Sequence, residues 1–92
     1  PYSYLISITF THQDENVALK HANTFLNVLK RDKMIIMGPT SLVKLSDLRR
    51  VRIILKGVDL KGMLEDINHA VTLYYTIHKG GISVDVNPLT LI

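Results

Sequence analysis

The 92-residue chain has no cysteine and no tryptophan. Without cysteine there are no disulfides, no thiol nucleophiles and no Cys-based zinc or iron–sulfur sites, which fits a reducing compartment. There is no long apolar run and no basic-then-apolar leader, so the chain reads as neither secreted nor membrane-spanning. It opens at Pro1 rather than Met and reads as a soluble piece of something larger. No low-complexity stretch, repeat or linker interrupts it, so residues 1–92 are expected to form one domain. That length leaves no room for a nucleotide-driven motor or a two-lobed enzyme.

What the chain does have is 47% hydrophobic residues and a modest formal charge of +3. The placement of that charge is informative. Lys44, Arg49, Arg50, Arg52 and Lys56, opposed only by Asp47, carry +4, and the rest of the chain sums to −1. A local basic segment points to an anionic partner better than a high overall pI does.

Apolar periodicity predicts six elements. Residues 2–10 alternate, with Tyr2, Tyr4, Ile6, Ile8 and Phe10 on one face and Ser3, Leu5, Ser7 and Thr9 on the other, a half-buried strand. Thr11, His12 and Gln13 are expected to turn the chain. Asp14 and Glu15 suit the start of a helix running to about Arg31, with Ala18, Ala22, Phe25 and Leu29 inward, Val17 and Val28 beside them, and Lys30 and Arg31 at its negative end. The apolar run Met34–Met37 is expected to close at the Gly38-Pro39 turn signal.

In the next strand Val51, Ile53 and Leu55 point one way, and Arg50, Arg52, Ile54 and Lys56 the other, until Gly57. Asp59 is placed to cap a second helix with Leu60, Met63, Leu64, Ile67, Val71 and Tyr74 inward, ending near Lys79-Gly80-Gly81. The last strand is Ile82–Asn87, stopped by Pro88. The order β-α-β-β-α-β is the ferredoxin-like split arrangement, an α+β fold: a four-stranded antiparallel sheet with both helices on one face. Its first and third strands are central neighbours, which sets Ser7 and Thr9 beside Arg50 and Arg52 on the open face.

Few residues suggest catalysis. His12, His21, His69 and His78 show no metal-ligand spacing and read as isolated surface or helix-end residues, so no metal is assigned. Asp14-Glu15 is explained by helix electrostatics and Glu65-Asp66 by a solvent face. Gly80-Gly81 reads as a helix end, and neither GxxxxGK[ST] nor GxGxxG is present. An acylphosphatase-like enzyme of this fold would want a phosphate-cradling loop with Arg after the first strand, where Thr11-His12-Gln13-Asp14 stands. That leaves the basic segment. It suits sequence-independent phosphate contacts, and an ordinary solvated hairpin or a charge-protected sheet edge explains it equally well. It holds no aromatic for base stacking, which favours backbone binding over base reading.

Three blocks carry a family resemblance: Pro1-Tyr2-x-Tyr4-Leu5, then Met37-Gly38-Pro39 leading through Lys44 to Arg50-x-Arg52-x-x-x-Lys56, then Ile82-Ser83-Val84-Asp85-Val86-Asn87-Pro88. Across nearly its whole length the chain resembles the C-terminal domain of the PriA family (primosomal protein N-prime, the replication-restart helicases), particularly the Gram-positive type. The resemblance implies a noncatalytic DNA-binding and docking domain of a bacterial, cytoplasmic, nucleoid-associated 3′-to-5′ DNA helicase. The ATP/Mg sites and zinc region of such a parent lie upstream, so no cofactor is expected here. Implied partners are forked or single-stranded DNA without sequence specificity, the parent's helicase core, and other primosome proteins including the acidic tail of single-stranded-DNA-binding protein. The implied DNA-binding residues are Lys44, Arg49, Arg50, Arg52 and Lys56. Where the family carries R-Y-R-[YW]-Q, this chain has Leu48-Arg49-Arg50-Val51-Arg52, which gains charge and loses the aromatics. The alternative reading is a protein-interaction module that docks on the helicase core or on an acidic tail.

Overall fold

The computed structural model describes residues 3–30, 32–43 and 47–86. Its elements are β1 (Tyr4–His12), α1 (Glu15–Val28), β2 (Ile35–Ser41), β3 (Arg49–Gly57), α2 (Leu60–Ile77) and β4 (Ile82–Val86). They form one four-stranded antiparallel sheet in the order β2-β3-β1-β4, the ferredoxin-like α+β fold expected from the strand and helix periods.

Alternation sorts the two sheet faces. Ile6, Ile8 and Phe10 stand opposite Leu55, Ile53 and Val51, and all six are fully buried under the helices. α1 adds Ala18, Ala22, Phe25 and Leu26 to that core, and α2 adds Met63, Ile67, Ala70 and Tyr74. At its centre Phe10 meets Phe25 and Tyr74 edge-to-face, at centroid distances of 5.6 and 5.7 Å. This is the geometry in which ring edge and ring face attract.

Both helices begin where an aspartate can cap them. The Asp14 carboxylate accepts from the Asn16 N–H at 2.9 Å, and that of Asp59 from the Gly62 N–H at 3.0 Å, each filling one of the orphan donors of a first turn. Their ends differ from expectation. α1 stops at Val28 because Leu29 turns extended while its N–H still reaches the Phe25 carbonyl. Lys30 therefore lies beyond the helix, and Arg31 is outside the described residues. α2 stops at Ile77 with an extended His78, ahead of the glycines.

Other local expectations also shift. Tyr2 lies outside the described residues, and Thr11 and His12 extend β1 instead of turning. Gly38-Pro39 does not end β2. The strand runs through it as a bulge, since Met37 pairs with Ile54 but Thr40 with Arg52, one residue more on β2 than on β3. Gly38 has φ +99°, a conformation that favours glycine, and a Cβ there would sit 2.7 Å from the Arg52 carbonyl oxygen. Leu64, expected inward, is exposed, and so are Val84 and Val86, although the register puts both on the helix side of the sheet. β4 is an edge strand, so a helix-side position on it is only half covered.

Candidate nucleic-acid interface

The open face follows from the register. Its first row is Ile35, Lys56 and Leu5, and its second Met37, Ile54, Ser7 and Asp85. Thr40, Arg52, Thr9 and Ser83 make the third, and Arg50 stands beside Thr11 in the fourth. The expected pairing is thus displaced by one step: Arg52 neighbours Thr9 and Arg50 neighbours Thr11, while Ser7 faces Ile54. Ser7 is only 6% exposed although no helix covers it, because a small side chain on a central strand is shaded by its larger neighbours.

The five basic residues do not share one surface. Arg50, Arg52 and Lys56 are on the open face by alternation. Arg49 pairs with His12, so alternation places it on the helix side, a correction to the expected continuous stripe. Lys44 lies outside the described residues.

The three open-face cations also differ in freedom. One guanidinium nitrogen of Arg50 donates to the Val43 carbonyl at 3.4 Å, while its Nε is buried without a partner. The Arg50 backbone carbonyl accepts from Leu42 at 2.9 Å. Arg50 therefore braces the mouth of the β2–β3 hairpin. The side chains of Arg52 and Lys56 make no ion pair or hydrogen bond among the described residues, which leaves both available to an external anion. Asp85 is the one acid on this face among the described residues; it sits on the β4 edge opposite Ser7. Beside the cations the hydroxyls of Thr9, Thr11, Thr40 and Ser83 offer neutral donors. The other end is apolar, with Ile35 62% and Met37 41% exposed next to Leu5 and Ile54.

On the opposite side the structure gathers histidines that sequence spacing left scattered. His12, His21 and His78 converge where the ends of β1 and α2 meet the second turn of α1, with His21 and His78 stacked at 3.7 Å. His69 stays apart and exposed on α2. Among the described residues no group of His, Asp and Glu is arranged to hold a metal ion. A cleft of about 180 Å³ between the loop before β2 and the first turns of α2 is lined by Asp32, Lys33, Asp59 and Asp66 among others, carboxylates already explained in part by the Asp59 cap. No helix among the described residues is long and apolar enough to cross a membrane.

No family model and no curated protein matches this chain. Among solved structures, a tripeptidase from Staphylococcus aureus is similar at a TM-score of 0.47 and 13% identity, covering 92% of this chain and 28% of its own. Aminopeptidase PepT from Bacillus cereus is similar at a TM-score of 0.48 and 9% identity, covering 94% of this chain and 28% of its own. The chain thus spans little more than a quarter of either peptidase, and at this level of similarity neither peptidase's activity is carried over to it.

Proposed function

We propose that this chain is a noncatalytic DNA-binding domain of a replication-restart helicase of the PriA type, acting in the bacterial cytoplasm at the nucleoid and using no cofactor of its own. It grips single-stranded or forked DNA by its backbone. The observation that carries this reading is the open face of β3, where Arg52 and Lys56 have no ion pair or hydrogen bond among the described residues, Arg52 standing between the hydroxyls of Thr40 and Thr9 and Lys56 between Ile35 and Leu5. Scale supports it as well. A strand and a stacked nucleic-acid strand both rise about 3.4 Å per unit. Arg50 and Arg52 therefore stand roughly 7 Å apart, a two-nucleotide step, and Arg50 to Lys56 covers about six nucleotides.

Binding of a short single strand and of a fork, followed over a salt series, tests this. Replacing Arg52 and Lys56 together by alanine should weaken affinity and flatten the log–log salt slope by about 0.7–0.9 for each lost contact. Arg49→Ala, on the other side of the sheet, should leave the slope nearly as it was. An unchanged slope in the double variant would rule out the open face as the binding surface.

A second reading has its own observation. Ile35 and Met37 expose apolar surface beside Lys56, which suits docking onto the parent helicase core or an acidic, partly apolar tail. In that case the isolated domain would bind DNA weakly and an acidic peptide saturably, an outcome titration calorimetry distinguishes.

A further inference from the structure

The three histidines at the shared end of β1, α1 and α2 have no role in the reading above. His21 lies at the centre. Its ring stacks on His78 with centroids 3.7 Å apart and 30° between planes, and meets His12 edge-on at 5.9 Å. Its Nδ1 is 3.3 Å from the hydroxyl of Tyr74, which is itself fully buried in the core. His12 accepts at Nδ1 from the Asp14 N–H at 2.9 Å, a bond that requires this nitrogen to be unprotonated. The distant α2 is thus joined to the consecutive β1 and α1 through imidazole rings.

The arrangement suits neutral rings only. The charged groups around it are Lys20 on α1, Arg49 opposite His12 on β3, and Lys79 next to His78. Tyr74 and Tyr75 on α2 complete the titratable neighbours, and burial with the adjacent Tyr75 keeps the Tyr74 phenol protonated to higher pH than usual. The nearby carboxylate, Asp14, is turned to the first turn of α1, where it accepts from Asn16. Among the described residues, a proton on these rings therefore meets other cations and no facing anion.

We propose that His12, His21 and His78 form an acid-released clasp that holds the C-terminal end of α2 against the second turn of α1. It stands independently of the DNA-binding reading. When the rings are neutral, stacking and the Tyr74 and Asp14 hydrogen bonds close this end of the domain. When they are protonated, imidazolium repels imidazolium across 3.7 Å, the His12 acceptor is lost, and the last turns of α2 loosen.

The direction of the pH effect follows from His21. Burial first, then His78, His12 and Lys20, hold its pKa below the ordinary histidine value. The unfolded chain then binds more protons than the folded one as pH falls through about 6.5. Stability is fully present above that pH and declines below it, by at most about tenfold in the folding constant per pH unit for each proton withheld.

The test uses denaturant unfolding of the 92-residue protein between pH 8 and 5, together with imidazole proton resonances. The folding constant should fall severalfold from pH 7 to 5.5, and His78→Gln should flatten that fall. His69→Gln, away from the cluster, should leave it intact. In the unaltered protein His21 should titrate below the ordinary histidine value, and amide protection over 74–78 should drop on acidification before protection in β1 and β3. If His78→Gln keeps the full pH slope, or if His21 titrates at or above the ordinary histidine value, the clasp is refuted. The resonance arm needs no variant, so it decides the matter even if a substitution prevents folding.

Discussion

The bulge at Gly38 should be the most position-sensitive backbone point on the proposed surface, and Gly38→Ala measures how much. Two costs are expected. The backbone has φ +99°, beyond the left-handed region that a residue with a Cβ occasionally visits, and holding such a conformation costs about 1–3 kcal/mol. The new methyl would also lie 2.7 Å from the Arg52 carbonyl oxygen and 3.1 Å from the Thr40 nitrogen. Neither is a side chain that can swing aside, and forced overpacking typically costs about 1–3 kcal/mol. Because one backbone shift relieves part of both, we expect a total of roughly 2–4 kcal/mol. A domain of this size has about 5–14 kcal/mol of stability, so the substitution removes a large share of it. Urea unfolding should report the loss, with a Tm lower by at least ~8 °C. Gly80→Ala supplies the control: φ is +73° but no atom lies within 4 Å of the added Cβ, so only the conformational cost remains. If Gly38→Ala costs no more than Gly80→Ala, the steric part of the reasoning is wrong.

Two further substitutions probe the scaffold under that surface. Phe10→Ala removes the ring that meets both Phe25 and Tyr74, and should cost about 3–5 kcal/mol in denaturant unfolding; a loss under ~1 kcal/mol would mean the core closes over the space. Asp59→Ala strips the cap from the Gly62 N–H and should cost about 0.5–2 kcal/mol, whereas Asp59→Asn should recover most of it; equal losses in the two would show that the side-chain acceptor is not what matters.

Element order was legible because each period is carried by residues that bury what the pattern says. Val51, Ile53 and Leu55 are fully buried, and the two helix-capping aspartates stand where their chemistry is needed. Local signals failed where a non-local neighbour decides. Gly-Pro is ordinarily a turn, but pairing with β3 on either side of Gly38-Pro39 carries the strand through as a bulge. Val84 and Val86 have the alternation of a half-buried strand, yet half-burial needs a helix above it, and an edge position depends on how far α2 reaches. The end of α1 at Leu29 has no glycine or proline to announce it.

The candidate site shows the same division. Placing Arg50, Arg52 and Lys56 together needs only the two-residue period of one strand. The same period puts Arg49 on the opposite side, so adjacency in sequence overstated the continuity of the basic segment. The histidine cluster could not be read from spacing, since His12, His21 and His78 meet only because the fold brings the end of α2 back beside the second turn of α1 and the end of β1.

The result is a charge arrangement with direction. Among the described residues, cations without partners stand on β3, while the one acid of the open face sits on the far edge, two strands away, a separation of about 10 Å. That is close to the screening length at 0.1 M salt, so Asp85 does little to neutralise Arg52 at ordinary ionic strength. If the proposed DNA backbone drifted outward, Asp85 would instead repel its phosphates from β4. The apolar rows of Ile35 and Met37 limit the cationic surface from the other side. On the proposed reading, a polyanion on this face would thereby be confined to the line of β3, along the strand direction in which residue and nucleotide rises match.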